Sequence, residues 1–354
     1  MEPIIYKLLP CITTDMQACE VPTSDNPISL NDSDIYFDTN PSPKLIKYGF
    51  NNMVDQLDLM AITSISYYRA GLNFDFTRTG KNSIAAKFSK IFGTKNVDET
   101  FAEFWEIITL FNLFNTNTDV LTSHPDTMAD IIKAYTSFSK TKNKFGFVSK
   151  KGKANLVIHK YSDIDIDENA AIQFIITDLP NLLSDQTKTA SMILQIFGTL
   201  TQTMAELIYY LATLYEESYL VKPSVISEIF DAKYLVLLRL KDKTEFQLPK
   251  HSKDVYLASI GVNIPDDVVT SIQCMNAETM PAKYRKYYEI KSYLDTRVYE
   301  GATYQEMLQQ QDDYGEEWIE TYTDLSKPPA ILANVLKKSD AKCMRRSQLI
   351  NLLK

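Results

Sequence analysis

The residues in this chain best suited to chemistry are acids and lysines rather than cysteines or histidines. Asp163-Ile-Asp165-Ile-Asp167-Glu168 sets carboxylates at alternate positions, a spacing that could face a hard cation. The run lacks the glycine and terminal glutamate of a calcium loop, so a solvated acidic face is expected and no metal. His124, His159 and His251 stand singly, outside any paired-ligand or nucleophile motif. Cys11, Cys19, Cys274 and Cys343 match no zinc spacing and read as free thiols in a reducing compartment. Lysines gather at Lys133, Lys140, Lys142, Lys144, Lys150, Lys151 and Lys153, and again in a basic tail holding Lys337, Lys338, Lys342, Arg345 and Arg346. Such runs can neutralise phosphates, but most are solvated surface. The net charge of −8 gives no global support for nucleic-acid binding. Only 10 glycines leave few places where backbone can lie against a phosphate, which argues against an enzyme built on a glycine-rich loop.

The elements that would position these groups follow from periodicity. Residues 1–45, rich in Pro, Asp, Asn, Ser and Thr, read as an irregular arm. Helical spacing is expected over Asn52–Tyr68, over Asp98–Phe114 with Asp98 as N-cap, and over Pro125–Ser139 with Pro125 in the first turn. Asn115–Asp119 reads as a turn. Short β-rich runs follow at Asn155–His159, Ala171–Thr177 and Met192–Phe197, then a helix over Thr201–Tyr215. Strands Glu217–Val221 and Lys233–Leu240 are close enough in sequence to pair antiparallel. Strands alternating with helices imply an α/β fold: a mostly parallel, Rossmann-like sheet ending in an antiparallel hairpin edge. The expected division is an arm over 1–45, an α/β domain over 46–248, and a helical extension over 249–354 including Ala282–Tyr299 and Tyr304–Tyr322. No segment reads as a signal peptide or a membrane span, so a soluble, cytoplasmic protein without membrane contact is expected.

Several motifs then become specific. Ile193-Leu-Gln195, a helix to Tyr215-Glu216, Val221-Lys222-Pro223-Ser224 and Lys233-Tyr-Leu-Val236 occur in one order. Upstream stand Trp105-Glu106 and Leu121-Thr-Ser-His-Pro-Asp-Thr-Met128. Over about Phe101 to Leu240 this text resembles the FtsJ-like RNA 2′-O-methyltransferases, in the divergent form carried by large DNA viruses. The resemblance implies a Rossmann-like methyltransferase domain, a cofactor loop for S-adenosyl-L-methionine, and a Lys-Asp-Lys-Glu tetrad whose lysine deprotonates a ribose 2′-hydroxyl.

Carried over by position, the tetrad is eroded. Glu103 stands where the first lysine belongs, Gln195 where the second belongs, and Ala232 where the glutamate belongs; Asp178 alone matches its counterpart. In the cofactor loop the proline persists as Pro125, but the paired glycines read Asp126 and Thr127, whose Cβ atoms intrude where backbone should approach the ligand. The resemblance therefore implies a pseudo-methyltransferase that binds no cofactor. Its expected role is a structural or regulatory subunit, docked to a protein partner of viral mRNA capping or transcription machinery, in the cytoplasm or the virion. The alternative is an active S-adenosylmethionine-dependent cap methyltransferase in which Lys160 or Lys222 takes the base's role. A third reading is an RNA-binding module with a basic stripe of Lys140, Lys142, Lys144, Lys150, Lys151 and Lys153 beside the carboxyl edge of the sheet.

Overall fold

The computed structural model describes residues 17–24, 28, 36–38, 84–94, 97–148, 153–161, 168–226, 228, 230–241, 256–273, 275–276, 279–280, 282–283 and 302–325. The expected helix at Asn52–Tyr68, Cys11, His251, the acids at 163–167, Lys150, Lys151 and the basic tail lie outside them. The strands are β1 (Gln17–Glu20), β2 (Tyr36–Asp38), β3 (Thr118–Thr122), β4 (Phe145–Phe147), β5 (Ala154–His159), β6 (Gln186–Phe197), β7 (Tyr215–Lys222), β8 (Ala232–Leu240) and β9 (Tyr256–Ser259). The helices are α1 (Ile84–Phe92), α2 (Glu99–Leu110), α3 (Pro125–Ser139), α4 (Glu168–Ser184), α5 (Gln202–Thr213) and α6 (Ala302–Thr323). Helical turns also cover 266–273.

Seven strands form one sheet in the order β1-β7-β8-β6-β5-β3-β4, and β2 pairs with β9 in a second, two-stranded one. Strands β4, β3, β5 and β6 are parallel neighbours, whereas β8 runs antiparallel to both β6 and β7. This is the doubly wound α/β sheet with a hairpin edge that the alternation of elements predicts. The edge gains a further strand from the N-terminal arm: Gln17–Glu20 pairs antiparallel with β7. Helices α1, α2, α3 and α6 supply one core, on the sheet face shared by Ile193, Tyr234 and Val236. Helices α4 and α5 and residues 257–275 supply the other, on the face of Met192, Leu194, Leu235 and Leu237. Side chains alternate between faces along a strand, so each strand feeds both cores.

Several expectations need correction. Ala171–Thr177 is not a strand but part of α4. Ile172, Ile175, Ile176 and Leu179 are buried, while Phe174 and Thr177 are exposed, which is helical rather than alternating burial. Topology gives the reason: β5 and β6 are parallel neighbours, and joining parallel neighbours requires a crossover. Pro180 removes one backbone donor from the helix without ending it. The Asn115–Asp119 turn runs directly into β3, and Phe145–Phe147 adds β4 inside the lysine-rich segment. Strand β9 lies within 249–354, where only a helical extension is expected. The expected C-terminal extension also enters the main body, since Trp318, Ile319 and Tyr322 are buried in the first core.

Candidate functional site

Chain direction along the sheet changes between β3 and β5: one connection leads outward from β3 through α3 to β4, the other from β5 through α4 to β6. In open α/β sheets a ligand crevice lies at such a switch point, beyond the carboxyl ends of the strands. Here that edge carries Ser123 and His124 after β3, and Lys160 and Tyr161 after β5.

The crevice is stitched across. The Ser123 amide donates to the Ile158 carbonyl (3.2 Å), and its hydroxyl both accepts from the Lys160 amide (3.0 Å) and donates to the Lys160 carbonyl (3.0 Å). Pairing between the two strands thus continues to the point where a ligand would part them. Pro125 is the first residue of α3, with Asp126 and Thr127 in its opening turn. None of the three has a positive φ, so the loop that the resemblance expects to need glycines has become ordinary helix start. The His124 side chain turns to Ser123, with Nδ1 2.8 Å from its hydroxyl. Burial holds the His124 imidazole below its ordinary pKa.

Behind the switch point sits the closest cluster of ionisable groups. Lys160 Nζ donates to the Glu103 carboxylate at 2.7 Å and to the Thr100 hydroxyl at 3.0 Å. The Tyr234 hydroxyl donates to the same Glu103 oxygen. Tyr234 is the cross-strand partner of Gln195, whose side-chain carbonyl accepts from the Tyr161 amide at 3.0 Å. Glu103 is 3% exposed, and burial raises its pKa against the opposing pull of Lys160. Three positions named by the resemblance, Glu103, Gln195 and Ala232, therefore do share one sheet face and one edge.

Asp178 does not join them. It lies within α4, on the opposite side of the sheet, with its side chain 43% exposed and 3.5 Å from His159 Nε2. Burial lowers the His159 pKa while Asp178 pulls it upward. The residue that leaves the end of β5 beside Glu103 is Lys160. Where the resemblance expects a lysine this chain has Glu103, and Lys160 faces it across the edge. Sequence reasoning noticed Lys160 only as a substitute base, because the strand that should have carried the aspartate was placed in what is helix α4.

One helical turn along α2, Glu106 holds a second buried cluster. Its carboxylate accepts from the Ser224 amide (2.7 Å) and hydroxyl (3.0 Å), from Trp318 Nε1 (3.1 Å) and from the Tyr322 hydroxyl (3.3 Å). Burial lifts its pKa to about 7, against the downward pull of these donors. The Trp105 indole donates to the Tyr322 carbonyl at 2.8 Å, so both residues of the Trp-Glu pair hold α6. Two motifs that carried the resemblance, Trp105-Glu106 and Lys222-Pro223-Ser224, thus meet in space. Lys222 itself points to the other face of the sheet, where its ammonium donates to the Phe230 carbonyl at 2.6 Å.

No family model matches this sequence. Over 353 residues, 99% of either chain, it is 42% identical to the uncharacterized protein R383 of Acanthamoeba polyphaga mimivirus. The chain belongs to the family of that mimivirus protein. The family thus includes a viral member, and the alignment with it covers nearly the whole chain.

The basic stripe falls elsewhere than expected. Lys140 caps the end of α3, Lys144 precedes β4 and Lys153 precedes β5. Together with Lys142 they are exposed at the amino ends of the strands, the end of the sheet away from Ser123 and Lys160. Among the described residues no helix is long and apolar enough to cross a membrane.

Proposed function

We propose that this relative of the mimivirus protein is a non-catalytic, methyltransferase-type scaffold that acts by docking to a protein partner, in the setting of viral mRNA capping or transcription. The observation that carries this reading is the Lys160–Glu103 pair, closed by Tyr234. A general base must be free to accept a proton from its substrate within hydrogen-bond reach. Here Lys160, at the switch point, is bonded to a buried carboxylate, and Gln195 has no basic nitrogen near neutral pH. The strand order and the contact between Trp105-Glu106 and Ser224 favour descent from a methyltransferase-type ancestor. The Ser123 bridges at the β3–β5 edge favour loss of the cofactor's place. Lys222, the other lysine that a methyltransferase reading would enlist, lies on the wrong face to reach Gln195.

Isothermal titration with S-adenosylmethionine and S-adenosylhomocysteine tests the proposal. No binding is expected at millimolar ligand, and no methyl transfer to capped RNA. Micromolar binding would sink it, and would revive the active cap 2′-O-methyltransferase as the better account.

A further inference from the structure

On the β3 side the sheet ends at β4, the last strand in its order. In the common doubly wound order three strands lie on each side of the switch point. Among the described residues this side holds two, β3 and β4, and the position of a third lies beyond β4. The ladder shows which backbone groups face that way. The Lys144 carbonyl accepts from the Thr118 amide (2.9 Å), and the Val148 amide donates to the Val120 carbonyl (3.0 Å). Successive residues of a strand face opposite edges, so the amides and carbonyls of Phe145 and Phe147 are directed away from β3.

The same strand carries an apolar and a charged feature. Phe145 packs its ring against Phe114 and Tyr135 in the first core. Phe147, on the same face two residues along, is 50% exposed. Gly146 between them leaves space that the Asp119 carboxylate of β3 occupies. Lys140, Lys142 and Lys144 lead into the strand at alternate positions, all exposed, and none joins an ion pair among the described residues. Lys140 holds the left-handed conformation (φ 48°) that glycine or asparagine adopts at less cost. On a chain of net charge −8 this edge is a positive exception.

We propose that β4 is a docking edge for an extended acidic segment of a partner protein, which adds to the sheet as a further strand. The outward backbone groups of Phe145 and Phe147 supply the main-chain bonds, Phe147 receives an apolar side chain, and the three lysines select carboxylates. A second copy of this chain suits the edge poorly, because edge-to-edge pairing brings lysine-rich segments of both chains together. Lysines on an edge also guard against aggregation, but guarding alone does not call for a half-exposed phenylalanine. RNA phosphates would meet the lysines and offer no donor to the outward carbonyls. This is the surface with which the scaffold proposed above docks, and its assignment rests on that reading.

A short fluorescent peptide alternating Asp with Ile is titrated into the full chain, and its anisotropy is followed. Micromolar binding is expected, with slowed amide exchange over 145–147 in the complex. The same peptide N-methylated at every residue keeps its charge, cannot donate to a strand, and should bind at least about tenfold more weakly. Lys142→Glu/Lys144→Glu should lose the acidic peptide and gain one alternating Lys with Ile, an exchange that a misfolded variant would not make. Phe147→Thr should weaken binding about tenfold, and Lys188→Glu, at an exposed lysine on β6, should leave it unchanged. Equal binding of the N-methylated peptide overturns strand addition, as does tighter binding of oligouridylate that the double variant also loses. Absence of peptide binding, or unchanged exchange over 145–147, overturns it as well. None of these readings involves S-adenosylmethionine, so the docking edge and the non-catalytic scaffold fail on different measurements.

Discussion

Glu103 and Glu106 stand one turn apart on α2, both buried, and they are held in opposite ways. Glu103 faces a cation, Lys160, across the carboxyl edge of the sheet, and Tyr234 closes the pair. Glu106 faces neutral donors only, and through them ties the Ser224 turn and helix α6 to the core. The first cluster stands where the resemblance places catalytic groups, and its charges are satisfied within the chain. The second joins segments about 120 and 210 residues apart in sequence, and its job is assembly of the fold. The contrast teaches that a buried carboxylate next to a motif does not by itself mark chemistry. Its donors decide: a lone cation balances charge in place, whereas converging neutral donors weld elements together.

The sharpest way to break the comparison is to remove the cation. Lys160→Met leaves Glu103 buried and unpaired and should cost about 3–5 kcal/mol in urea unfolding. The double variant Lys160→Met/Glu103→Gln should regain more than half of that. A loss of similar size in the double variant would show that the pair's charge balance is not what matters. Glu106→Ala comes next, at about 3 kcal/mol, because several buried donors lose their acceptor together. Amide exchange should then rise across 302–323 in particular, and uniform loosening of the whole sheet would contradict the local weld.

The two clusters also differ in what pH does to them. Glu106 is raised from 4.5 to about 7, so the native state holds its proton where the unfolded chain has released it. Its contribution is complete below about pH 4.5 and is lost as pH rises through about 7, a change of order 3 kcal/mol. Glu103 is shifted in the same direction, while Asp231, held low chiefly by Lys283 against its burial, loses its contribution as pH falls. Urea unfolding at stepped pH should therefore show a slope between these limits that flattens in Glu106→Gln. An unchanged slope would exclude Glu106 as its source. The smallest effect belongs to Asp178→Ala, expected within about 0.5 kcal/mol, since its side chain is 43% exposed beside His159. A loss several times larger would return Asp178 to consideration as a functional residue.

Legibility followed the strength of local signals. Asp98 caps α2 by accepting from the Phe101 amide at 2.7 Å, and Pro125 opens α3, both as their residue types predict. Strands β6, β7 and β8 stood out because long apolar runs with turn formers between them admit few alternatives. Ala171–Thr177 was ambiguous, since a short apolar run with β-branched residues suits a buried strand and a buried helix face equally. Strands β3 and β4 were hidden by their polar residues, Thr118, Asp119 and Thr122, and by the glycine at 146. The candidate site was half legible. Glu103 is bonded to Tyr234 and Gln195 is the cross-strand partner of Tyr234, whereas Asp178 lies in helix α4 and Lys160 is the residue that reaches Glu103.

By itself the sequence determined the α/β class, the antiparallel hairpin at the edge, the N-cap of α2 and the proline that opens α3, because periodicity and capping act within a few residues of chain. Which lysine faces Glu103, which donors surround Glu106, and how α6 and the N-terminal strand join the sheet were decided only by tertiary structure. Those partners lie tens to hundreds of residues apart, and burial, which sets their charge and strength, exists only once the chain has folded.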